Sequence, residues 1–213
     1  MSPFRPTLVF VLLAVACKGH SDTTDPDNRA PQPSALGTRA NATNVRWIKG
    51  EEIGRLARAY GHKGTLFNIW ATWCGSCKGE IPKLRDISNE YVGRGIQVVL
   101  ISVDEPEQFG QLAEWIKSRG FTPPAWTAAR PLGVFKKALA ENWLGNIPVT
   151  FLYDSQGRRR YFWNGPIETP EVTPILDGLL EGKAIDGERQ YALSAGITDT
   201  DSMPTSLPDS AKP

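Results

Sequence analysis

The pattern of apolar positions divides the chain into a patterned centre and two polar ends. Apolar runs and helical spacings alternate over residues 45–181, which predicts one folded domain. Residues 18–44 and 182–213 are rich in small and polar residues, so we expect a flexible linker and a largely disordered tail. A chain of 213 residues is long enough for one such domain with unstructured ends.

Within this domain, helical and strand patterns alternate. The predicted elements are a helix over 51–60, a strand over 66–70, a helix over 75–91 that Pro82 should kink, a strand over 96–103, a helix over about 106–120, a short helix near 132–139, a strand over 149–153, a strand over 161–163 and a helix near 172–179. We expect the two central strands to pair in parallel and the last two to form an antiparallel hairpin. The order βαβα and then ββα predicts an α/β fold with a mixed sheet flanked by helices.

An apolar run near the N-terminus predicts export from the cytoplasm. Arg5 precedes residues 8–16, which are apolar but too few to span a bilayer unaided. The run ends in Ala14-Val15-Ala16-Cys17, which resembles a bacterial lipoprotein signal, so residues 1–17 are interpreted as that signal and Cys17 as the lipidated residue. Ordinary signal peptidase cleavage and an uncleaved segment are the alternatives.

The charge of the chain favours no polyanionic partner. Lys and Arg number 24 and Asp and Glu number 23, which leaves a formal net charge of +1. We therefore expect no nucleic-acid binding.

Once Cys17 is set aside, two cysteines remain as candidates for chemistry. Cys74 and Cys77 form a C-x-x-C motif directly after the strand over 66–70. An oxidising compartment permits a disulfide. A bridge across this spacing closes too small a loop to stabilise a fold greatly, since the entropic benefit grows with loop length. The motif therefore favours a redox site over a structural link.

The start of a helix gives the two sulfurs different roles. Cys74 falls at the helix N-terminus, where the thiolate is stabilised, so we expect an exposed, attacking sulfur. Cys77 lies one turn later and deeper, as the resolving thiol, and Glu80, three residues further on, is the candidate base that takes its proton. The alternative for Glu80 is a surface carboxylate paired with Lys83 or Lys78.

The segment from Phe67 to Pro82, FNIWATWCGSCKGEIP, resembles the active-site segment of TlpA/ResA-type thioredoxin-like proteins. Asn68 in the strand and Glu80 in the helix match two features of that family. The resemblance extends over roughly residues 45–180. It implies a thioredoxin-like fold with a family-type insertion after the second central strand, at about 121–145, where we expect substrate specificity to arise.

The same resemblance implies a substrate-binding edge opposite the cysteines. It assigns a cis peptide bond to Pro148, which would expose the backbone of Ile147 for pairing with a substrate. Trp73 and Trp126 are candidates to border this groove, whereas Trp70 is expected to pack in the core.

The resemblance also implies a function. It predicts a thiol-disulfide oxidoreductase of the bacterial envelope, working through a redox-active Cys74–Cys77 disulfide with no cofactor and no metal. The Gly75-Ser76 pair contains no histidine to favour the thiolate strongly, so we expect a reductant of protein disulfides. The family's targets are apocytochrome c before haem attachment and the thiols of a copper-binding oxidase subunit. A membrane-embedded thiol reductase would supply electrons, and a lipid anchor would be the sole membrane contact.

Four other functions compete with this one. A zinc site would need ligands beyond His20, His62 and Cys17, and a copper-delivery protein would need a longer cysteine spacing and a late histidine. A peroxidase would need a lone cysteine in a Thr-x-x-Cys context. A periplasmic redox-regulated binding module or metal-site chaperone stays open as the alternative.

Overall fold

The computed structural model describes residues 38–39, 45–121 and 124–189. Its strands and helices, in chain order, are β1 Thr38–Arg39, β2 Val45–Ile48, α1 Ile53–Tyr60, β3 Gly64–Trp70, α2 Gly75–Tyr91, β4 Ile96–Ser102, α3 Phe109–Ser118, β5 Ala125–Ala128, α4 Leu132–Leu139, β6 Val149–Asp154, β7 Arg159–Asn164, α5 Thr169–Leu180 and β8 Gly187–Arg189. A 3₁₀ turn that begins with Pro106 leads into α3, where the sequence predicts the start of a helix.

These strands form one mixed sheet in the order β1-β2-β5-β4-β3-β6-β7-β8. The two central strands β3 and β4 are parallel, while β3 pairs antiparallel with β6 and β6 with β7. All seven residues of β3 are buried, as expected for a strand covered on both faces. The predicted parallel pair, the hairpin and the thioredoxin-like fold are confirmed.

Helix α2 lies across the sheet and carries the cysteine motif at its start. Its buried side chains recur every three or four residues and form one face towards the core. They are Cys77, Glu80, Ile81, Leu84, Ile87 and Tyr91. The helix continues through Pro82, which lacks the N–H that would bond to the carbonyl one turn earlier.

Four short strands were not predicted from the sequence. Strands β2 and β5 pair with each other in parallel and extend the sheet beyond β4. Strands β1 and β8 add to its two edges and come from segments that the sequence assigns to the linker and the tail. The sheet therefore extends beyond the predicted boundaries at 45 and 181, because strands of two to four residues gain their stability from pairing and carry little pattern of their own.

Several predictions concern residues outside the described part of the chain. The signal segment 1–17, with Cys17, lies outside it, as does most of the linker and of the tail. Among the described residues, no helix is both long enough and apolar enough to cross a membrane.

Candidate active site

A disulfide joins Cys74 and Cys77 at the start of α2. Cys74 is the N-cap residue of the helix, and its Sγ accepts a hydrogen bond from the backbone N–H of Cys77 at 3.1 Å. The Ser76 Oγ lies 3.5 Å from the same sulfur. The first turn of a helix has unpaired N–H groups that stabilise negative charge, so this position favours a thiolate at Cys74 once the disulfide is reduced.

The burial of Cys74 corrects one expectation from the sequence. Cys74 and Cys77 are both fully buried in the disulfide form, although the chemistry predicts an exposed attacking sulfur. The disulfide bond ties the Cys74 sulfur to the buried Cys77, and the Ile147 carbonyl oxygen lies 3.9 Å from the Cys74 Sγ. The preceding residue, Trp73, is 39% exposed, so the surface beside the disulfide is open to solvent at that residue.

The peptide bond between Ile147 and Pro148 is cis, as the resemblance implies. It brings the Ile147 carbonyl towards Cys74, so the loop before β6 forms the wall opposite the disulfide. Pro148 has no backbone N–H, so it adds no donor beside the sulfurs. Ile147 itself is buried, with 5% of its surface exposed.

Glu80 lies in the interior, one turn below Cys77. Its side chain is 1% exposed, and each of its carboxylate oxygens accepts one hydrogen bond. Asn68 Nδ2 donates to Oε1 at 2.6 Å, and the backbone N–H of Ile167 donates to Oε2 at 2.9 Å. The surface alternative for Glu80 is wrong, since Lys83 pairs instead with Glu168 at 2.6 Å.

Burial raises the pKa of Glu80 from 4.5 to about 7. The two hydrogen bonds, followed by the positive charges of Lys83 and Arg189, oppose this rise, so the carboxyl group can still ionise near neutral pH. A group that titrates near the working pH is suited to accept and return a proton. Glu80 is three residues from Cys77 and therefore on the same face of the helix.

Asp104 fixes the loop that leads into the cysteine motif, and the sequence did not point to it. Both of its carboxylate oxygens accept the Thr72 backbone N–H, at 3.0 and 3.1 Å, and Oδ1 also accepts the Thr72 hydroxyl at 2.7 Å. The Ser102 hydroxyl donates to Oδ2 at 2.6 Å. A buried aspartate immediately beyond a central strand is the signal that could have found it, since parallel strands place such residues at one edge.

The three tryptophans considered from the sequence lie in different places. Trp73 is exposed beside Cys74, as a residue at the rim must be. Trp70 is fully buried and stacks on Trp115 with ring centroids 4.5 Å apart. The proposed groove position of Trp126 is wrong: its Nε1 donates to Tyr60 Oη at 3.1 Å, and it lines a cavity with residues from the C-terminal half of α2, away from the disulfide.

A third element of the site is the loop between β7 and α5. The Gly165 N–H donates to the Pro148 carbonyl at 3.1 Å, and the Ile167 N–H binds Glu80 as described above. The loop thus connects the cis peptide with the buried carboxyl group. Neither contact was anticipated from the sequence.

The site is built from sulfur and carboxyl chemistry. Over residues 45–121 and 124–189, no group of three or more His, Cys, Asp or Glu side chains is placed to hold a metal ion.

Comparison with known proteins agrees with this geometry. The thiol-disulfide oxidoreductase ResA of Oceanobacillus iheyensis is 44% identical over 108 residues, which are 49% of this chain and 54% of that protein. The thiol:disulfide interchange protein HelX of Rhodobacter capsulatus is 27% identical over 185 residues, which are 85% of this chain and 96% of that protein. The chain therefore spans about half the length of the first relative and nearly all of the second.

Among solved structures, a thioredoxin family thiol:disulfide interchange protein from Chlorobium tepidum is 27% identical, with a TM-score of 0.47 over 55% of this chain and 80% of that one. The resemblance to ResA-type proteins is confirmed by the curated relatives. The model of the AhpC/TSA family matches residues 36–162, more than half of the chain, and the chain belongs to this family.

Proposed function

We propose that this protein is a thiol-disulfide oxidoreductase that reduces disulfides of proteins in the bacterial envelope. The observation that carries the proposal is the Cys74–Cys77 disulfide at the start of α2, with the buried Glu80 one turn below. A pair of sulfurs at a helix N-terminus, with a carboxyl group that titrates near neutral pH, has the parts that two-step exchange requires.

In the first step, the reduced protein meets a substrate disulfide. The Cys74 thiolate attacks one substrate sulfur, a bond forms between Cys74 and that sulfur, and the substrate S–S bond breaks. The other substrate sulfur leaves as a thiolate and takes up a proton from water. The N-cap position of Cys74 supports this role, because the Cys77 N–H already points at its sulfur.

In the second step, the Cys77 thiol passes its proton to the Glu80 carboxylate. The resulting thiolate attacks the Cys74 sulfur, the bond from Cys74 to the substrate breaks, and the substrate leaves with its second sulfur as a thiolate. Two electrons have then moved from the cysteine pair to the substrate, and the pair is left as the disulfide seen here. Glu80 later returns its proton to solvent or to the next thiol formed at Cys77.

A protein substrate would dock along the rim beside the disulfide. Trp73 and Leu144 are large apolar residues with 39% and 79% of their surface exposed; Trp73 directly precedes Cys74, and Leu144 lies three residues before Ile147. Leu144 belongs to the 121–145 segment, as does Val134, which is 60% exposed. Exposed apolar side chains of this kind support a role for the 121–145 segment in choosing substrates, with Ile147 and Pro148 pairing with the substrate backbone.

The sequence supports a setting outside the cytoplasm. Export by the 1–17 signal, with lipid attachment at Cys17, would hold the domain on the periplasmic side of a membrane. Substrates of the kind that the resemblance implies are apocytochrome c and the thiols of a copper-binding oxidase subunit. A membrane-embedded thiol reductase would restore the dithiol.

The proposal is tested by disulfide reduction with the reduced full-length protein. We expect reduced insulin to accumulate with wild type, no reduction with Cys74→Ala, and a stable mixed disulfide on Cys74 with Cys77→Ala. Envelope extracts then supply natural partners for the Cys77→Ala trap, identified by mass spectrometry. No trapped protein, alongside active wild type, would favour the redox-regulated binding module. A reduction potential near the value of about −120 mV typical of the oxidant DsbA would contradict the reducing direction.

A further inference from the structure

The last described strand, β8, is linked to the active site through one side chain. Arg189 ends β8, which pairs in parallel with β7 at Trp163. The Arg189 Nη2 donates to the Pro166 carbonyl at 2.6 Å, and Nη1 donates to the Asn164 carbonyl at 3.3 Å. Its guanidinium therefore binds the last carbonyl of β7 and one carbonyl of the loop between β7 and α5.

The Pro166 carbonyl lies next to the backbone N–H that binds Glu80. The Pro166 carbonyl and the Ile167 N–H belong to the same peptide unit, and this N–H donates to Glu80 Oε2 at 2.9 Å. A peptide unit is planar, so the direction of the Pro166 carbonyl also fixes the direction of the Ile167 N–H. By binding the carbonyl side, Arg189 keeps the N–H side aimed at the carboxyl group.

Arg189 is itself held in place from α5. Its Nε lies 3.4 Å from Glu171 Oε2, and its side chain is 25% exposed. A planar guanidinium with several donors can bind two carbonyls and a carboxylate together, which a lysine ammonium on a flexible stem does less well. Two hydrogen bonds thus join β8 to the end of β7 and to the loop, and the ion pair with Glu171 adds an electrostatic contact to α5.

We propose that Arg189 is a positioning residue for disulfide exchange, and that β8 thereby sets the pH at which Cys77 resolves the mixed disulfide. This inference rests on the proposed role of Glu80 as the base for Cys77. It assigns a function to a strand that lies in the predicted tail.

The groups that face Glu80 decide the direction of the effect. Asn68 from β3 and the Ile167 N–H donate hydrogen bonds, and Lys83 from α2 and Arg189 from β8 contribute positive charge. All four favour the ionised carboxylate. Removal of Arg189 takes away one charge and loosens one hydrogen bond, so it raises the pKa of Glu80.

Stopped-flow reaction of the reduced protein with 5,5′-dithiobis(2-nitrobenzoate) separates the two steps. Attack by Cys74 breaks the S–S bond of the reagent, leaves one thionitrobenzoate on Cys74 and releases the other. Attack by Cys77 then forms the Cys74–Cys77 disulfide and releases the second thionitrobenzoate, so absorbance rises in two phases. The rate of the second phase is measured from pH 5 to pH 10.

For wild type, we expect the second-phase rate to rise with a midpoint near the Glu80 pKa of about 7. In Arg189→Ala, the midpoint should move up by about 0.5 to 1 pH unit, so the rate at pH 7 falls about two- to fivefold. The first phase should stay unchanged. Arg189→Lys keeps the positive charge but loses the paired hydrogen bonds of the guanidinium to the two carbonyls. It should move the midpoint in the same direction by less.

Two further variants keep the test decisive. Glu188→Gln alters the neighbouring β8 residue, which accepts a hydrogen bond from Asn142, and should keep the wild-type midpoint. In Glu80→Gln, the second-phase rate should no longer rise near pH 7. It should rise only at higher pH, where the Cys77 thiol ionises without a base. If Glu80→Gln keeps the wild-type profile, the proposed role of Glu80 fails. A different result would separate the two claims. If Glu80→Gln loses the rise near pH 7, but Arg189→Lys and folded Arg189→Ala keep the wild-type midpoint, the role of Glu80 stands and the inference about Arg189 is overturned.

Discussion

Replacement of Glu80 by Gln tests whether the buried carboxyl group is costly to ionise in the folded protein. The pKa of Glu80 is 4.5 in an unfolded chain and about 7 in the fold, because burial disfavours the carboxylate. Between these values the folded protein holds a proton that the unfolded chain has lost. The stabilising effect of the raised pKa is therefore complete below about pH 4.5 and is lost as the pH rises through about 7.

The size of the loss follows from the two pKa values. A difference of about 2.5 pH units, at about 1.4 kcal/mol for each, corresponds to about 3 kcal/mol of unfolding free energy. Gln does not titrate and escapes this loss, but it can accept only one of the two hydrogen bonds that Glu80 accepts, which costs about 1 kcal/mol at every pH. At pH 5 wild type has already lost about 0.8 kcal/mol of this stabilisation, so Glu80→Gln should be about as stable as wild type there and about 2 kcal/mol more stable at pH 8.

Urea unfolding of the oxidised proteins, followed by tryptophan fluorescence at both pH values, measures these differences without titration of the thiols. Glu114→Gln, the same substitution at an exposed position of α3, measures the effect of removing a surface carboxylate. If wild type and Glu80→Gln differ by the same unfolding free energy at pH 5 and pH 8, the reasoning about a raised pKa is refuted.

Three further substitutions test other parts of the site. Asp104→Asn keeps only one side-chain oxygen to accept the hydrogen bonds that Thr72 donates to two. The free energy of unfolding in urea should fall by about 2 kcal/mol, and wild-type stability would contradict the role of Asp104 in fixing the loop. Trp73→Ala should change unfolding free energy by less than about 0.5 kcal/mol and raise the KM for a protein disulfide; an equal slowing with 5,5′-dithiobis(2-nitrobenzoate) would argue against a docking role. Trp143→Phe removes the Nε1 donor to the Asn146 carbonyl, in the loop before β6, and should lower the free energy of unfolding in urea by about 1 kcal/mol. A gain in stability would show that this hydrogen bond does not stabilise the loop.

The sequence predicted the parts of the fold whose pattern is long and local. Strand β3 and helix α2 are apolar or amphipathic over seven and seventeen residues, and their burial follows that pattern. Strands β2 and β5 have four residues each; β5 is buried and β2 is half-buried at its two middle residues. Nothing in their own order of residues distinguishes them from loops. Strand β8 is polar and exists because it pairs with β7.

The residues of the site likewise include some that a local pattern could predict and some that only tertiary packing brings together. Glu80 could be placed because it lies one helical turn from Cys77 among apolar neighbours, which is a local relation. Asp104 and Ile167 reach the site from 32 and 87 residues away from their partners, and only the packing of the sheet brings them there. The burial of Cys74 likewise depends on the loop before Pro148, which contacts it across 73 residues of sequence.

The central claim is that Cys74 attacks and Cys77 resolves. Limited alkylation of the reduced full-length protein with iodoacetamide at pH 7, with the modified peptides counted by mass spectrometry, tests it most directly. Cys74 is the N-cap of α2, which favours its thiolate, so we predict that the label falls on Cys74 at least about ten times more often than on Cys77. Equal labelling of the two cysteines, or a preference for Cys77, would contradict the assignment.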